Sequence, residues 1–545
     1  MVTLYTAALE AAKAKEAVTH EGARAFALDP WAQLTRFLML GTAGGTFYVG
    51  ARELTREHAE IVERCLELDG ARVVAEIVAV SEASRAPKHE PVLFALALAT
   101  ASEDLATRRA ALTVLPRVAR TGTHLFHFAR YVQAVRGWGR ALRRAVGSWY
   151  NAKEPAALVY QAIKYRQRDG WTHADLLRLA HPKAPGPVHD AVYRWIVDGE
   201  LGLDAARGSD GATALDQLHA FRLLQGLTDA EEAARLIRDH KLPREAVPTP
   251  LLTEPQVWVA LLEAMPLGAM LRNLGVMSKV GLLTPGSAAS HTICERLGDR
   301  DRLRAARVHP IAVLAALKVY AQGHGERGSG AWTPATRVVD ALDAAFYAAF
   351  EHVAPTGKRI RLALDISGSM DGTMVAGLPF LSAREASAAM ALVTARIEPD
   401  HEIVAYGHTL VPVTVSPRQR LDDVLRTLRA IPMGGTYCAL PIRDALQSGA
   451  KVDAFVSYTD SETWDGNPLA AAWMRGQGCD VPEQTAASYL RDYREATGLP
   501  ARHVVVGMCS NGFSLADPAD PGQLDVVGFD ATAPAAIADF IRGAV

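Results

Sequence analysis

The sequence predicts a mainly α-helical first part followed by an α/β domain, and three observations support this division. At 545 residues the chain is too long for one ordinary domain. Up to about residue 355, apolar residues recur at helical spacing, whereas beyond Gly357 short apolar strands alternate with helical stretches. We therefore place an entirely helical body at residues 18–355 and a doubly wound, mostly parallel sheet with its helices at residues 356–545.

Paired helices recur through the first part. In "AEIVERCLEL", Ile61, Cys65 and Leu68 lie on one helical stripe, and after the break "DG" the segment "ARVVAEIVAV" repeats the pattern. The alternation continues in "EPVLFALALATA", "TRRAALTVLPRVA", "HLFHFARYVQAV" and "RALRRAVGSWY". Stacked helix pairs of this size favour a HEAT-like solenoid. Because the sequence has no strict repeat, a globular helical bundle also fits this periodicity.

The second part shows the alternation of an α/β domain. Its apolar strands are "IRLALD", "HEIVAYG", "DAFVSYTD", "RHVVVGM" and "LDVVGFD". Helical stretches such as "SAREASAAMALVTARI", "LDDVLRTLRAI" and "PEQTAASYLRDYREATG" lie between them. Since ligands of such sheets bind at the carboxyl ends of the strands, we expect the site residues in the loops that follow these strands.

Composition narrows the class of protein. Hydrophobic residues make up 49% of the chain, which is typical of globular domains, and no apolar run approaches the roughly 18 residues of a membrane span. The N-terminus, "MVTLYTAALEAAKAKEAV", does not resemble a signal peptide. The five cysteines include no CxxC pair, which argues against a disulfide framework or a zinc knuckle. We expect a cytoplasmic protein that does not associate with membranes.

A basic block stands out in a chain of nearly neutral net charge. From Thr107 to Lys183 there are 15 lysines and arginines against three carboxylates, Glu154, Asp169 and Asp175, a formal excess of +12. Such a concentration favours a polyanion-binding site. Solvated helix faces are the alternative explanation.

Oxygen-bearing side chains follow three of the predicted strands or their loops. Asp365, Ser367 and Ser369 come directly after "RLAL", Thr436 follows two glycines in "PMGGTYCALP", and Asp460 ends another strand. Carboxylates and hydroxyls are ligands for hard cations and suit zinc poorly. Mg²⁺ is the preferred cation here, with Ca²⁺ and Mn²⁺ as alternatives, and two carboxylates leave an open position for water or a partner's acidic group.

This order of residues, DxSxS, then GGT, then Asp after a strand, resembles the metal-ion-dependent adhesion site of von Willebrand factor A domains. Tyr437 stands where related sequences often carry Asp, which could change the surroundings of the metal without removing a ligand. Enzyme motifs are missing: the sequence has no GxxxxGK[ST], no GxGxxG after a strand and no GxSxG. Nor does it place His408 or His503 beside the metal ligands, so we expect no enzymatic activity.

The segment "IKYRQRDGWTHADLLRLAHPK" lies in the basic block. We expect Lys164 and Arg168, four residues apart, to share one helix face, "DG" to break the helix, and Thr172 to cap the next helix, which ends at His181. Such a helical hairpin presents cations that bind phosphates, and its tyrosine and tryptophan can stack on unpaired bases.

This segment closely resembles the TROVE domain of the Ro autoantigen family, bacterial Ro orthologues included, in which a von Willebrand A domain follows a ring-shaped RNA-binding domain. Four further stretches are similar to the family: "LTRFLMLGTAGGTFYVGARELT", "GWGRALRRAVGSWY", "PLGAMLRNLGVMSK" and "LDVVGFDATAPAAIADFIRG". The resemblance covers nearly the whole chain except residues 184–264. It implies a closed ring of HEAT-like repeats whose outer surface binds small noncoding Y RNAs, while single-stranded 3′ ends of misfolded RNAs enter the central hole.

The resemblance also implies roles for individual residues. Lys164, Arg168 and His181 match the positions that hold Y RNA. Their basic neighbours are Arg136, Arg140, Arg143, Arg144 and Arg166. Arg143 and Arg144 could instead simply flank an amphipathic helix, and His181 could serve only as a helix C-cap.

These features leave three functions open. The first is a monomeric noncoding-RNA-binding protein that scaffolds RNA quality control or processing, with polynucleotide phosphorylase as the exoribonuclease that the resemblance implies. The second is a protein-interaction module whose A-type domain binds a partner carboxylate through its metal. The third, a metal-dependent hydrolase or nuclease, lacks a placed base or a second carboxylate pair.

Overall fold

The structure is a computed structural model. It describes residues 16–18, 24–27, 30–40, 60–82, 89–199, 213–306, 308, 310–325, 330–352, 354–375, 378–432, 434–460, 463–465, 467–508, 513–517, 520, 522–527 and 533–543. Much of the family-like stretch Leu34–Thr55 therefore lies outside the described residues, as do residues 528–532 of the C-terminal one. None of the helices in these ranges is long and apolar enough to cross a membrane.

The first part of the chain is built mainly from helices. In chain order these are α1 (Pro30–Leu40), α2 (Glu60–Glu82), α3 (Glu90–Ala99), α4 (Leu105–Thr113), α5 (Leu115–Val118), α6 (Gly122–Val135), α7 (Arg140–Asn151), α8 (Pro155–Lys164), α9 (His173–Ala180), α10 (Pro187–Asp198), α11 (Thr213–Gln225), α12 (Ala230–His240), α13 (Pro255–Ala264), α14 (Leu267–Lys279), α15 (Ala288–Gly298), α16 (Arg300–Ala305), α17 (Pro310–Ala321) and α18 (Thr336–Ala348). Contacts run from each helix to near neighbours along the chain, as α1 to α2, α2 to α3 and α12 to α13, which is the packing of a helical-repeat array.

The "DG" break inside α2 shows how a local signal shapes this packing. Asp69 leaves helical geometry, with φ −160° and ψ 89°, so α2 is two helices joined at a kink. At the neighbouring Gly70, a Cβ atom would lie 2.1 Å from the Thr107 hydroxyl oxygen. Glycine therefore permits α2 to pack closely against α4.

The expectation of an entirely helical body is wrong at two hairpins. Strands β1 (Glu16–Val18) and β2 (Arg24–Ala27) pair in antiparallel fashion near the N-terminus. Strands β3 (Gln167–Arg168) and β4 (Trp171–Thr172) form a second hairpin around Asp169 and Gly170. Both turn residues have left-handed backbone, with φ 53° and 79°, as a two-residue hairpin turn requires.

The second part is the predicted doubly wound domain. Its sheet has the order β13-β11-β10-β5-β8-β9, in which β9 alone is antiparallel to its neighbour. The strands are β5 (Ile360–Asp365), β8 (His401–Tyr406), β9 (Leu410–Pro412), β10 (Ala454–Thr459), β11 (Arg502–Gly507) and β13 (Gln523–Val527); a short antiparallel pair, β6 (Met374–Val375) and β7 (Leu378–Ser382), precedes β8. The helices are α19 (Ser369–Gly372), α20 (Ala383–Ile397), α21 (Leu421–Arg429), α22 (Leu440–Ser448), α23 (Pro468–Gly476), α24 (Ala486–Thr497) and α25 (Ala533–Arg542).

The two parts are joined at both ends of the helical body. At the beginning of the chain, β2 pairs with β12 (Phe513–Ser514) of the α/β domain, which makes a three-stranded sheet β1-β2-β12. At the other end, Lys318 of α17 forms a 2.8 Å ion pair with Glu385 of α20, and the Tyr347 hydroxyl of α18 accepts a hydrogen bond from the backbone N–H of Leu421. The α/β domain therefore bridges the two ends of the helical array.

Candidate nucleic-acid interface and metal centre

Lys164 and Arg168 do not share a helix face as the sequence spacing suggested. Helix α8 ends at Lys164, and the chain enters the β3–β4 hairpin, where exposed Arg168 pairs with Trp171 across the strands. The Lys164 Nζ lies 3.0 Å from the Tyr160 hydroxyl, and the Arg166 guanidinium lies 5.5 Å from the centre of the Phe221 ring. The prediction failed because two residues in left-handed backbone suffice to reverse the chain.

A buried pair of side chains anchors this hairpin to the helical body. His127 of α6 donates a hydrogen bond from Nδ1 to the Asp169 carboxylate at 2.5 Å, and both side chains are largely buried. Arg130 approaches the same carboxylate at 3.7 Å. Trp171 packs against Trp138, with ring centres 5.3 Å apart, so the hairpin is held on two sides.

The helix that leads to His181 begins with the predicted cap. The Thr172 hydroxyl accepts a hydrogen bond from the backbone N–H of Asp175, and the Asp175 carboxylate accepts one from the N–H of Thr172 at 2.9 Å, which is a capping box. Helix α9 ends at Ala180, and exposed His181 has a left-handed backbone with φ 43°. The expected start and end of this helix are therefore confirmed.

The segment after His181 packs against α7. A Cβ atom at Gly147 would lie 3.2 Å from the Cβ of Pro182, so glycine allows the two backbones to approach closely. Asn151 at the end of α7 donates a hydrogen bond to the Lys183 carbonyl at 3.0 Å. His181 is thus held beside the helix that carries Arg143 and Arg144.

The arginines of α7 face solvent. Arg140, Arg143 and Arg144 are exposed, and none of them forms an ion pair with a carboxylate in the described ranges. Two of the three carboxylates in the basic block are already engaged within the protein, Asp169 with His127 and Asp175 in the capping box. The positive charge of this surface is therefore not neutralised from within, and a polyanion can use it.

The predicted metal ligands lie on loops that contact one another. Strands β5 and β10 are adjacent and parallel, so Asp365 and Asp460 sit at the same sheet edge. The Asp365 carboxylate accepts hydrogen bonds from the backbone N–H of Ser367 and from the Thr459 hydroxyl, both at 2.8 Å, and the hydroxyls of Ser367 and Ser369 are 3.0 Å apart. Both carboxylates are buried, with 1% and 0% of their residue surface exposed.

Two glycines bring Thr436 to this edge. A Cβ atom at Gly434 would lie 1.8 Å from the imidazole of His408, and one at Gly435 would lie 2.4 Å from the ring of Trp464. The Thr436 carbonyl accepts a hydrogen bond from the Trp464 N–H at 2.6 Å. The "GG" before Thr436 therefore lets two rings close over the loop, and the loop after β10 is tied to it.

The electrostatics of the cluster suit a cation. Burial and, to a smaller extent, the nearby charge of Asp460 together raise the pKa of Asp365 to about 7. Two buried carboxylates that repel each other, with hydroxyls on the same edge, match the oxygen ligands that Mg²⁺ and Ca²⁺ prefer. These residues would hold such an ion, although no described group of three or more His, Cys, Asp or Glu side chains forms a separate metal cluster.

Comparison with known proteins places the chain in a family. The TROVE domain matches residues 17–197 and 224–318, and the Ro60 vWA domain matches residues 359–541. The chain belongs to the Ro60 family. It is 40% identical to the RNA-binding protein RO60 of Deinococcus radiodurans over 528 residues, which cover 96% of this chain and 95% of that protein. The RNA-binding protein RO60 of Caenorhabditis elegans is 32% identical over 611 residues, with 98% of this chain and 92% of that protein covered.

The fold agrees with the family assignment. The crystal structure of the Deinococcus radiodurans RO (RSR) protein matches with a TM-score of 0.77 at 40% identity, covering 95% of this chain and 100% of that one. The predicted family and the predicted fold class, a mainly helical part followed by an A-type α/β domain, are confirmed. The roles of the individual RNA-binding and metal-binding residues stay predictions.

Arg136 differs from the other predicted RNA-binding cations in its contacts with the protein. Its guanidinium donates a hydrogen bond to the Thr100 carbonyl between α3 and α4, and burial lowers its pKa. This arginine therefore supports the body as well as adding positive charge. The sequence pattern of alternating arginines gives no sign of this difference, because Thr100 lies 36 residues away.

Sequence reasoning missed three residues that shape the metal edge. Arg384 is fully buried and donates hydrogen bonds to the carbonyls of Ile366 and Ser367 at 3.2 and 2.9 Å, which fixes the DxSxS loop. Asp465 is buried too, and its carboxylate accepts a hydrogen bond from the Ala439 N–H just before α22. His408 lies against Gly434 of the glycine pair, a position that no sequence pattern indicates. Each of these three residues stands outside any recognisable motif, so the sequence carries no signal that marks it.

Proposed function

We propose that this chain is an RNA-binding protein of the Ro type, and that its RNA site is the basic surface between Arg140 and His181. The observation that carries the proposal is the group of exposed arginines on α7, without carboxylate partners in the described ranges, beside the packed Gly147–Pro182 contact that holds His181. Arginines bind phosphates strongly, and the backbone of a nucleic acid presents phosphates at regular intervals. The names of the two RO60 relatives support the same class of ligand.

The surface combines phosphate-binding and base-binding groups. Arg143 and Arg144 project from one end of it, and Arg168 projects from the β3–β4 hairpin. Trp171 is half-buried against Trp138, so one part of its ring is available to an unpaired base. Such an arrangement favours a folded RNA with exposed loop bases over a uniform duplex.

The family resemblance supports a more specific proposal about the RNA ligands and the protein's role. We propose that the bound RNA is a Y-like noncoding RNA, that single-stranded 3′ ends of misfolded RNAs are a second class of ligand, and that the protein acts as a monomeric scaffold in RNA quality control or processing. An exoribonuclease such as polynucleotide phosphorylase would then associate through the RNA. Catalysis by this chain has no part in the proposal.

The A-type domain contributes a cation site. Asp365, Ser367, Ser369, Thr436 and Asp460 would hold Mg²⁺, some through water, and the ion would offset the repulsion of the two buried carboxylates. A second function, protein interaction through this domain, is favoured by one observation. Leu469 and Trp473, 83% and 60% exposed, lie one turn apart on α23, the helix that follows the Asp460 loop.

The RNA proposal is tested by filter binding at several salt concentrations. The variant Lys164→Ala/Arg168→Ala/His181→Ser should bind a small structured RNA more than about tenfold more weakly, since each lost charge-assisted bond is worth about 1.5–3 kcal/mol. The salt dependence should also flatten by about two units for two lost phosphate contacts.

A matched control removes three exposed cations from the A-type domain: Lys358→Ala/Arg418→Ala/Lys451→Ala. This variant should keep its RNA affinity, and circular dichroism should show both variants folded. Equal affinities and salt slopes for wild type and the first variant would place the RNA elsewhere. Protein interaction through the A-type domain would then become the leading function.

A further inference from the structure

The β3–β4 hairpin contains a carboxylate where a polyanion-binding surface would be expected to exclude one. Asp169 occupies the first turn position, next to Arg168, with left-handed backbone at φ 53°. A negative charge there opposes the approach of phosphates. The side chain is only 15% exposed, however, because it turns inward to His127 of α6.

The hairpin turn can form without the contact between Asp169 and His127. An Asp-Gly or Asn-Gly pair forms this type of hairpin turn without any further partner. Here the His127 imidazole donates from Nδ1 at 2.5 Å, and its Nε2 lies 3.9 Å from the Glu90 carboxylate of α3. Arg130 lies 3.7 Å from the Asp169 carboxylate. The hairpin is therefore tied to α6 by a largely buried hydrogen bond that the local turn does not require.

The other acidic residues of the basic block support the same interpretation. Asp175 caps the helix that ends at His181, so it too fixes a segment that carries a predicted RNA-binding residue. Glu154, the third carboxylate, is exposed and makes no cap hydrogen bond at the start of α8. Two of the three carboxylates thus act as anchors inside the protein, and one is a plain surface charge.

We propose that His127 and Asp169 are positioning residues for RNA binding. Their hydrogen bond fixes the hairpin on α6, so that Arg168 is presented to the RNA in one orientation instead of many. Because the hairpin is already fixed before binding, it loses less conformational entropy when the RNA complex forms. This inference rests on the proposed function, since it assigns a role within the same RNA site.

Two carboxylate-to-amide changes distinguish positioning from simple charge. Asp169→Asn keeps a favourable turn pair and removes the charge-assisted bond to His127, and Glu154→Gln removes the same charge from the exposed position. If charge alone mattered, both variants would bind RNA more tightly. We expect Glu154→Gln to bind equally or up to about threefold more tightly, and Asp169→Asn to bind on the order of tenfold more weakly.

A double-mutant cycle tests whether the pair acts through Arg168. His127→Gln leaves every carboxylate in place, so its effect on affinity has no contribution from a removed acidic charge. Affinities for a synthetic stem–loop RNA with an unpaired 3′ tail are measured for wild type, His127→Gln, Arg168→Ala and the double variant. We expect His127→Gln to weaken binding several-fold in the wild-type background and to have little effect once Arg168 is absent.

The outcomes separate this inference from the broader proposal. Tighter binding by Asp169→Asn, or equal effects of His127→Gln with and without Arg168, would overturn the positioning role while leaving RNA binding intact. Failure of the wild-type protein to retain the RNA at low salt would overturn the proposed function itself, and this inference with it. Thermal unfolding by circular dichroism accompanies each variant, and a folded Asp169→Asn protein with normal affinity also counts against the positioning role.

Discussion

Replacing His173 by phenylalanine should remove part of the acid sensitivity of the helical body. His173 begins α9 in an aromatic cluster: its ring centre lies 4.7 Å from that of Phe126, and its Nδ1 lies 2.9 Å from the Tyr150 hydroxyl. Burial lowers the pKa of His173 to about 4 from an ordinary value of about 6.5. The folded state therefore keeps the imidazole neutral where the unfolded chain already binds a proton.

The sign and size of the effect follow from proton linkage. Because the folded pKa is the lower one, stability is complete above about pH 6.5 and is lost as the pH falls towards 4. Between pH 7.5 and 5.5, this one group should cost the wild-type protein about 1.3 kcal/mol of unfolding free energy. At pH 7.5 the phenylalanine variant should be less stable by about 1–3 kcal/mol, since the buried Tyr150 hydroxyl loses its partner.

The assay is urea unfolding at the two pH values, followed by tryptophan fluorescence, because the Trp149 ring centre lies 6.2 Å from that of His173. The stability gap between wild type and His173→Phe should narrow by about 1.3 kcal/mol at the lower pH. Phe126→Leu, which disturbs the same cluster without removing a titratable group, should show a constant gap. Parallel pH dependences of wild type and His173→Phe would refute the reasoning.

Three further predictions concern the two sites. Asp365→Asn should abolish stoichiometric Mg²⁺ binding, measured by mass spectrometry after dialysis, without changing RNA affinity; unchanged metal content would reject the site. Gly147→Val should displace Pro182, whose Cβ would lie 3.2 Å from a Cβ at position 147, and should cost about 1–3 kcal/mol in thermal unfolding together with weaker RNA binding. Thr172→Ala should cost about 1 kcal/mol through loss of the helix cap before His181, and an unaltered melting temperature would contradict that role.

The large elements of the fold were predictable because their signals are local. The five parallel strands lie where apolar segments of five or six residues precede polar turns, as at Ile360–Asp365 and Ala454–Thr459. The DxSxS, GGT and aspartate loops were predictable for the same reason, since each follows a recognisable strand or glycine pair. The Thr172 cap was predictable from its partner three residues later.

The missing parts depend on contacts that sequence spacing does not encode. The β3–β4 hairpin has strands of two residues, too short for any periodicity, so the helical spacing of Lys164 and Arg168 gave a wrong answer. His127 and Asp169 are 42 residues apart, and their hydrogen bond could not be predicted from either segment. Gly147 likewise looks like a weak point of a helix until Pro182 is placed against it.

The pairing of β2 with β12 has a consequence for synthesis of the chain. The strand at Arg24–Ala27 leaves the ribosome long before its partner at Phe513–Ser514, because most of the described chain lies between them. At ordinary translation rates of about 5–20 residues per second, β2 waits roughly 25–100 s with one edge unpaired. An unpaired strand edge can pair with another chain. The nascent helical body must therefore shield this edge of β2 until the A-type domain supplies β12.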